Sequence, residues 1–393
     1  MYVPGWPSIW YCKIDYICKE CGNVAFFAFM DIELFLQMLN IDSTSGKEVG
    51  FADFLADKLE GPGRHVETFE TGDGTKNLLV SWGTPKVVFC THLDTVPPYI
   101  SPSVQSDSFY GRGTCDAKGQ IFAMYEACKT LEANGCSNFG LLLLAGEETG
   151  SFGAKAFNLM PEKPFSTEDA WLIVGEPTDN CMASAAKGTK SFEVTFEGRT
   201  CHSGYPENGE SAILYFNDFM NALRSIVFPK DDVLGETTWN VGKLVSDNPQ
   251  NILSGNLTCR VYFRTTFESD EMVCNVMKNM AGPQARLRFG RRTVQDGSDI
   301  VAKEVAPWQK AMSVKAFGGD TPSRFEVLEG FPSKPVAFGS DAPQLGCFNN
   351  KILCGPGSIL TAHRPDERIT LQELEAAADN YVRMYMELFV LLK

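Results

Sequence analysis

Four short apolar runs stand out along the chain: 87–90 (VVFC), 141–144 (LLLL), 171–174 (WLIV) and 336–338 (VAF). Each gives way at once to a polar, glycine-rich stretch. An unbroken apolar run of this length suits a strand buried on both faces of a largely parallel sheet, because a half-exposed strand would alternate. Helical patterns intervene, notably over 118–134, which stops at Gly135 as a helix C-terminus does. Strands alternating with helices predict an α/β fold with a mostly parallel sheet.

The pattern changes between 183 and about 290. Residues 191–196 (SFEVTF) alternate as a half-exposed strand, followed by a helix near 209–226. Two more alternating strands (238–245 and 256–265) and a helix (269–281) complete a β-α-β-β-α order. This predicts a small α+β domain inserted into the first, over 182–290, with the α/β domain formed by 30–181 and 291–393. The final helix starts at Thr370, where Thr370 and Glu373 form a capping box. Residues 1–29 are rich in Trp, Tyr and Cys without a clear period, and read as an uncharacterised extension. Met30, which precedes a helical pattern, is a candidate start of the functional chain. The segment 293–335 is poor in clear elements.

A length of 393 residues predicts two or three domains at roughly 150 residues each. The net charge of -14 argues against nucleic acid or an anionic membrane as partner. No apolar run approaches the roughly 18 residues of a membrane span, and no basic start leads into a long apolar stretch. A cytoplasmic location is expected. The 13 cysteines, an odd number at scattered spacings, read as reduced thiols. Cys18 and Cys21 form a CxxC near Cys12, but a zinc site needs a fourth ligand and none is apparent.

Histidine narrows the search for chemistry, because only His65, His92, His202 and His363 exist. THLDTVP (91–97) sets His92 and Asp94 two apart at a strand end, on one side; Asp94 suits a carboxylate that orients the ring, although a surface turn would read the same. In GRGTCDAKGQ (111–120), Asp116 precedes a helix, where a routine N-cap competes with a carboxylate bridging two metals. Glu147 and Glu148 follow four leucines; adjacent residues at a strand end point apart, so one can bind metal and the other act as general base. Glu176, in LIVGEPTDN, follows another apolar run, and His363 lies in the stiff loop CGPGSILTAHRPDE. Each residue alone fits a polar turn. Asp94 aside, they place two His and four acids past strand ends, where ligands bind in open α/β sheets, and a two-metal hydrolase needs about that set.

The order HLD, GRGTCDAKG, GEE, GEPT and GPG with a later His resembles the dinuclear zinc deacylase and peptidase family. It contains acetylornithine deacetylase, succinyl-diaminopimelate desuccinylase, aminoacylase and the glutamate-releasing carboxypeptidase. The match covers about 30–393, and GEPT, CDAKG and GSDAP lean toward the deacetylase branch and its lysine-biosynthesis relatives. The resemblance implies two zinc ions, with cobalt or manganese fitting the same ligands. His92 and Glu176 would bind one, Glu148 and His363 the other, and Asp116 would bridge them. It further implies Glu147 as general base, Asp94 behind the ligands, and an inserted lid through which two copies pair. In that lid, His202 (RTCHSG) would steady the oxyanion, and Asn251 (NPQNILSG) and Arg264 (VYFRT) would hold a substrate carboxylate, for which a guanidinium fork is suited. NILSG departs from the family, which usually has Pro after the Ile. The expected substrate is a small N-acylated amino acid, acetylornithine first; a desuccinylase or dipeptidase uses the same chemistry. An inactive scaffold is the reading of another class, and the complete ligand set argues against it.

Overall fold

The structure, a computed structural model, describes residues 15–18 and 22–25 (backbone only), 30–287, 289 and 304–391. The short strands Asp15–Cys18 and Gly22–Ala25 pair antiparallel. Cys12 and Cys21 lie outside the described residues, and with them the CxxC motif.

The chain divides into two compact units. The larger comprises the described residues of Met1–Ser184, Phe325–Lys334 and Ser340–Lys393. Its sheet runs, in spatial order, Asn350–Leu353, Trp171–Val174, Val87–His92, Phe139–Leu144, Lys76–Trp82 and His65–Glu70. The first four strands are parallel, Lys76–Trp82 runs antiparallel to them, and His65–Glu70 pairs antiparallel with it in turn. Every residue of Val87–His92 and Phe139–Leu144 is buried, as their unbroken apolar runs require. The helices Lys118–Ala133 and Leu371–Leu391 pack on one another, and the core gathers Phe35, Phe89, Phe122, Phe139 and Tyr381, all fully buried. Each such side chain contributes about 1.5–3 kcal/mol by leaving water. The Tyr381 hydroxyl, which burial would otherwise strand, donates to Cys354 O at 2.9 Å. The capping box forms as read: Thr370 N donates to Glu373 Oε2 (2.8 Å) and Glu373 N to Thr370 Oγ1 (3.2 Å).

The run 336–338 does not belong to this sheet. Only Val336 is in a strand, Ser333–Val336, and Ala337 and Phe338 sit in a bend. The edge position falls to Asn350–Leu353, whose first two residues are half-buried and polar, so no apolar run marks it.

The smaller unit comprises the described residues of Ala185–Arg324 and Pro335–Gly339. Its antiparallel sheet has the order Thr238–Val245, Asn256–Thr265, Gly188–Glu197, Met312–Gly318. Phe192, Val194, Phe196, Leu257, Cys259, Val261 and Phe263 are buried with the helices Ala212–Ser225 and Asp270–Met280. The unit runs past residue 290, where the return to the larger domain was expected. Met312–Gly318 pairs with Gly188–Glu197, a link over more than a hundred residues that local pattern does not reveal. Among the described residues no helix is long and apolar enough to cross a membrane.

Asp379, on the last helix, supplies a test of this packing. Burial, then repulsion from Glu375, pushes its carboxyl up to about 6. Between its ordinary value and 6 the folded chain holds a proton that the unfolded chain has lost. The stabilisation is therefore full at low pH and is lost as pH rises through 6. Asp379→Asn should raise stability at pH 8 by about 1 kcal/mol, allowing for solvent screening, and change it little at pH 3.5. Urea denaturation at the two pH values checks this; an equal effect at both would assign the gain to something other than ionisation.

Candidate metal centre

Three neighbouring parallel strands end together. Val87–His92 is registered with His92 opposite Leu144 on one side and Cys90 opposite Val174 on the other. Parallel strands in register deliver their C-terminal residues to one edge, so His92, the Glu147–Glu148 turn and Glu176 emerge at the same end of the sheet. Asp116 precedes the helix Lys118–Ala133 but does not cap it: the N-cap is Ala117, without a side-chain bond. Its carboxylate faces the cluster instead. Gly119 lets this loop close on the helix, for a Cβ there would lie 2.2 Å from Thr114 O.

The two oxygens of Asp116 face different imidazoles. Oδ1 lies 2.9 Å from His92 Nε2, and Oδ2 lies 3.1 Å from His363 Nε2. His363 Nε2 is also 2.9 Å from Glu148 Oε1. One donor atom each from His92, Asp116 and Glu148 lie within 4.8 Å of one another, a group able to hold a metal ion. His92 Nδ1 is 2.9 Å from Asp94 O; a carbonyl only accepts, so Nδ1 donates and Nε2 is left for the cluster. His363 adopts a left-handed backbone (φ 63°), a strained conformation that costs on the order of 1 kcal/mol and tends to persist at functional sites.

Asp94 organises this end of the sheet. Its Oδ1 accepts from Glu147 N (3.0 Å) and lies 3.3 Å from His92 Nδ1; its Oδ2 accepts from Glu148 N (3.2 Å) and Ser45 Oγ (2.8 Å). One fully buried carboxylate thus ties the His92 strand to the Glu147–Glu148 turn.

The electrostatics are those of a site short of positive charge. Burial, followed by neighbouring carboxylates, pushes Glu176 well above the ordinary range. Burial does the same to Glu147, partly offset by His92 and reinforced by Asp341, Glu148 and Asp116. Burial also raises Glu148, against the pull of His363. Asp116 is held low, because the two imidazoles overcome its burial. His363 is pushed up to about 10 by its bonds to Asp116 and Glu148. Four carboxylates crowded around two imidazoles are what a divalent cation would neutralise, and nitrogen plus oxygen donors suit zinc or its neighbours. The donor set therefore fits a metal.

The remaining expected site residues lie in the smaller unit. His202 is exposed, with Nδ1 accepting from Gly204 N at 3.1 Å, and forms a β-bridge with Ile252. Ser203 N donates to Asn251 O at 2.9 Å, so the His202 and Asn251 loops run together. Arg264 stacks over Tyr262, 5.1 Å from the ring centroid, and forms no ion pair with a described residue. Two groups escaped the sequence reading. Arg112 and Glu367, both buried, pair at 2.5 Å and join the loops that bear Asp116 and His363. Their only signal was a charged residue in each of two glycine-rich motifs.

A parallel sheet with this donor set at its carboxyl end marks a hydrolase of the metallopeptidase class. The chain belongs to peptidase family M20/M25/M40, whose model matches residues 88–387. A peptidase M20 domain-containing protein of Schizosaccharomyces pombe is 30% identical over 365 residues, covering 90% of this chain and 84% of that one. A probable carboxypeptidase of Emericella nidulans is 30% identical over 391 residues, covering 90% and 88%. The aminopeptidase PepT of Bacillus cereus shares the fold, with a TM-score of 0.69 at 20% identity over 91% of this chain and 98% of that one. These relatives bear peptidase names, not deacetylase ones.

Removing Asp94 tests the organisation of the turn. Asp94→Ala leaves the Glu147 and Glu148 amides without their acceptor, which should cost about 2–4 kcal/mol in chemical denaturation. A loss below about 0.5 kcal/mol would mean that the turn holds without it.

Proposed function

We propose that this chain is a two-zinc hydrolase that cleaves the amide on the amino side of a terminal amino acid with a free carboxylate. That bond is common to an N-acylated amino acid and to the end of a short peptide. The observation that carries the reading is the Asp116 carboxylate, one oxygen toward each of two imidazoles, as a ligand shared by two ions would be. His92 and Glu176 would hold one ion, Glu148 and His363 the other, and Asp116 both. Cobalt or manganese fits the same donors.

Such a pair of cations supplies a water of lowered pKa and polarisation of the scissile carbonyl. Glu147 takes the proton from the water and delivers it to the leaving amine; burial, which favours its protonated form, supports the first half of that transfer. His202 steadies the oxyanion, and Asn251 and Arg264 hold the substrate carboxylate, in keeping with an Arg264 guanidinium that has no ion pair among the described residues. The peptidase names of the relatives support a peptide substrate, a dipeptide among them; the motifs GEPT and CDAKG support N-acetylornithine or an N-succinyl amino acid. We place the enzyme in the cytoplasm as a homodimer paired through the smaller unit. Exposed Leu244 and Val245 on an edge strand, with Ile213 and Leu214 on a helix, support that pairing.

Two measurements test the proposal. Glu147→Ala should keep its metal and lose turnover by roughly 100- to 10,000-fold; a near wild-type rate would remove Glu147 as base. The zinc-loaded protein should hydrolyse a member of a panel of N-acetylornithine, N-succinyl-diaminopimelate and dipeptides, and lose that activity in EDTA. The preferred substrate selects the branch. Two bound zinc ions without turnover would overturn the substrate class, and absence of bound metal would return the chain to the scaffold reading.

A further inference from the structure

Glu367 is completely buried, yet it lies outside the cluster of imidazoles and acids. Its Oε1 accepts from three backbone amides of one loop: Gly113 N (3.0 Å), Cys115 N (3.1 Å) and Asp116 N (3.2 Å). Its Oε2 accepts from Arg112 Nη1 (2.5 Å), and its own carbonyl accepts from Gly111 N (3.0 Å). Converging amides form a concavity for an anion. Here the chain fills that concavity itself, with a carboxylate four residues beyond His363. Arg112 binds the same segment again, donating from Nη1 to Arg364 O (3.3 Å), and anchors it through Nε to Pro98 O (3.3 Å).

We infer that Glu367, clamped by Arg112, is a positioning residue for the metal centre: it sets the distance between Asp116 and His363. The inference rests on the two-metal reading of that centre. The strand pair of Ser108–Tyr110 with Arg368–Thr370 brings the bases of the two loops together, and the Glu367 clamp acts between that pair and the imidazole. Asp116 comes from the segment before a helix and His363 from a loop about 250 residues later, on a strained backbone. Apart from the Asp116–His363 contact itself and the Arg112–Glu367 clamp, the side-chain links between the two loops are uncharged: Gln120 Nε2 to Cys115 O (2.9 Å) and Pro356 O (2.8 Å), and Cys115 Sγ to Ser358 O (3.5 Å). Glu367 alone carries a full charge into the amides of the loop that ends in Asp116. Replacing it by glutamine keeps the volume but removes the charge, and whichever way the amide turns, an NH2 group faces donors.

The test is metal affinity of the folded protein, with the cobalt-substituted absorption spectrum as a second readout. E367Q should bind zinc roughly 10- to 100-fold more weakly than wild type, the loss expected when a residue behind the ligands is changed. Its cobalt spectrum should shift. Glu132→Gln is the control for stability alone, because Glu132 makes a comparable clamp to Arg64 and Trp82 in the same unit without touching the centre. It should lower the melting temperature and leave affinity and spectrum unchanged. Wild-type affinity and spectrum in E367Q, or a loss in E132Q as large as in E367Q, would overturn the inference. Should E367Q fail to fold, Arg112→Lys decides: it keeps a charge beside Glu367 but loses the fork, and wild-type affinity there would likewise overturn it. A wild-type protein that binds no divalent metal would overturn the two-metal reading and this inference with it, whereas unchanged variants of a metal-binding wild type overturn the inference alone.

Discussion

Everything at this site depends on where parallel strands end. Because Trp171–Val174, Val87–His92 and Phe139–Leu144 run in one direction and in register, residues that are distant in sequence arrive at a single edge. The price is electrostatic: the edge collects Glu147, Glu148 and Glu176 in a buried setting that resists their ionisation. The fold offsets part of this with two imidazoles set against Asp116. The carboxylates of Asp94 and Glu367 lie behind the cluster and are satisfied by backbone amides. The outer carboxylates are thus hydrogen-bonded within the chain, and the inner ones are left for a cation.

Much of the larger unit was legible because burial on both faces writes itself as unbroken apolar runs. The same logic explains the misses. Asn350–Leu353, at the sheet edge, needs no such run and shows none, while 336–338 is apolar but finds no place in the sheet. The smaller unit showed its alternating strands clearly. Its extent was hidden, because Met312–Gly318 joins it through pairing with residues more than a hundred positions earlier. Local periodicity carries no information on such pairings.

Among the site residues, those in the cluster were legible through residue type and position after strand ends. Asp116 was ambiguous, since a helix N-cap and a ligand look alike in sequence; the structure separates them by giving the cap position to Ala117. Arg112 and Glu367 left only a charged residue in each of two glycine-rich motifs, because apart from their mutual ion pair their bonds go to backbone atoms, which have no sequence signature of their own.

One contact links the histories of the two loops. Cys115 lies directly against Gly357: a Cβ at 357 would come within 2.6 Å of the Cys115 sulfur, at a residue whose positive φ already disfavours any side chain. The space is enough for one small group, and the Asp116 loop has taken it. A larger residue at 357 is admissible only if 115 shrinks and the backbone turns, so two positions far apart in sequence share a single allotment of volume. Among descendants of this chain they should drift together or not at all, and a graft of either loop from a distant homologue would succeed only with its counterpart.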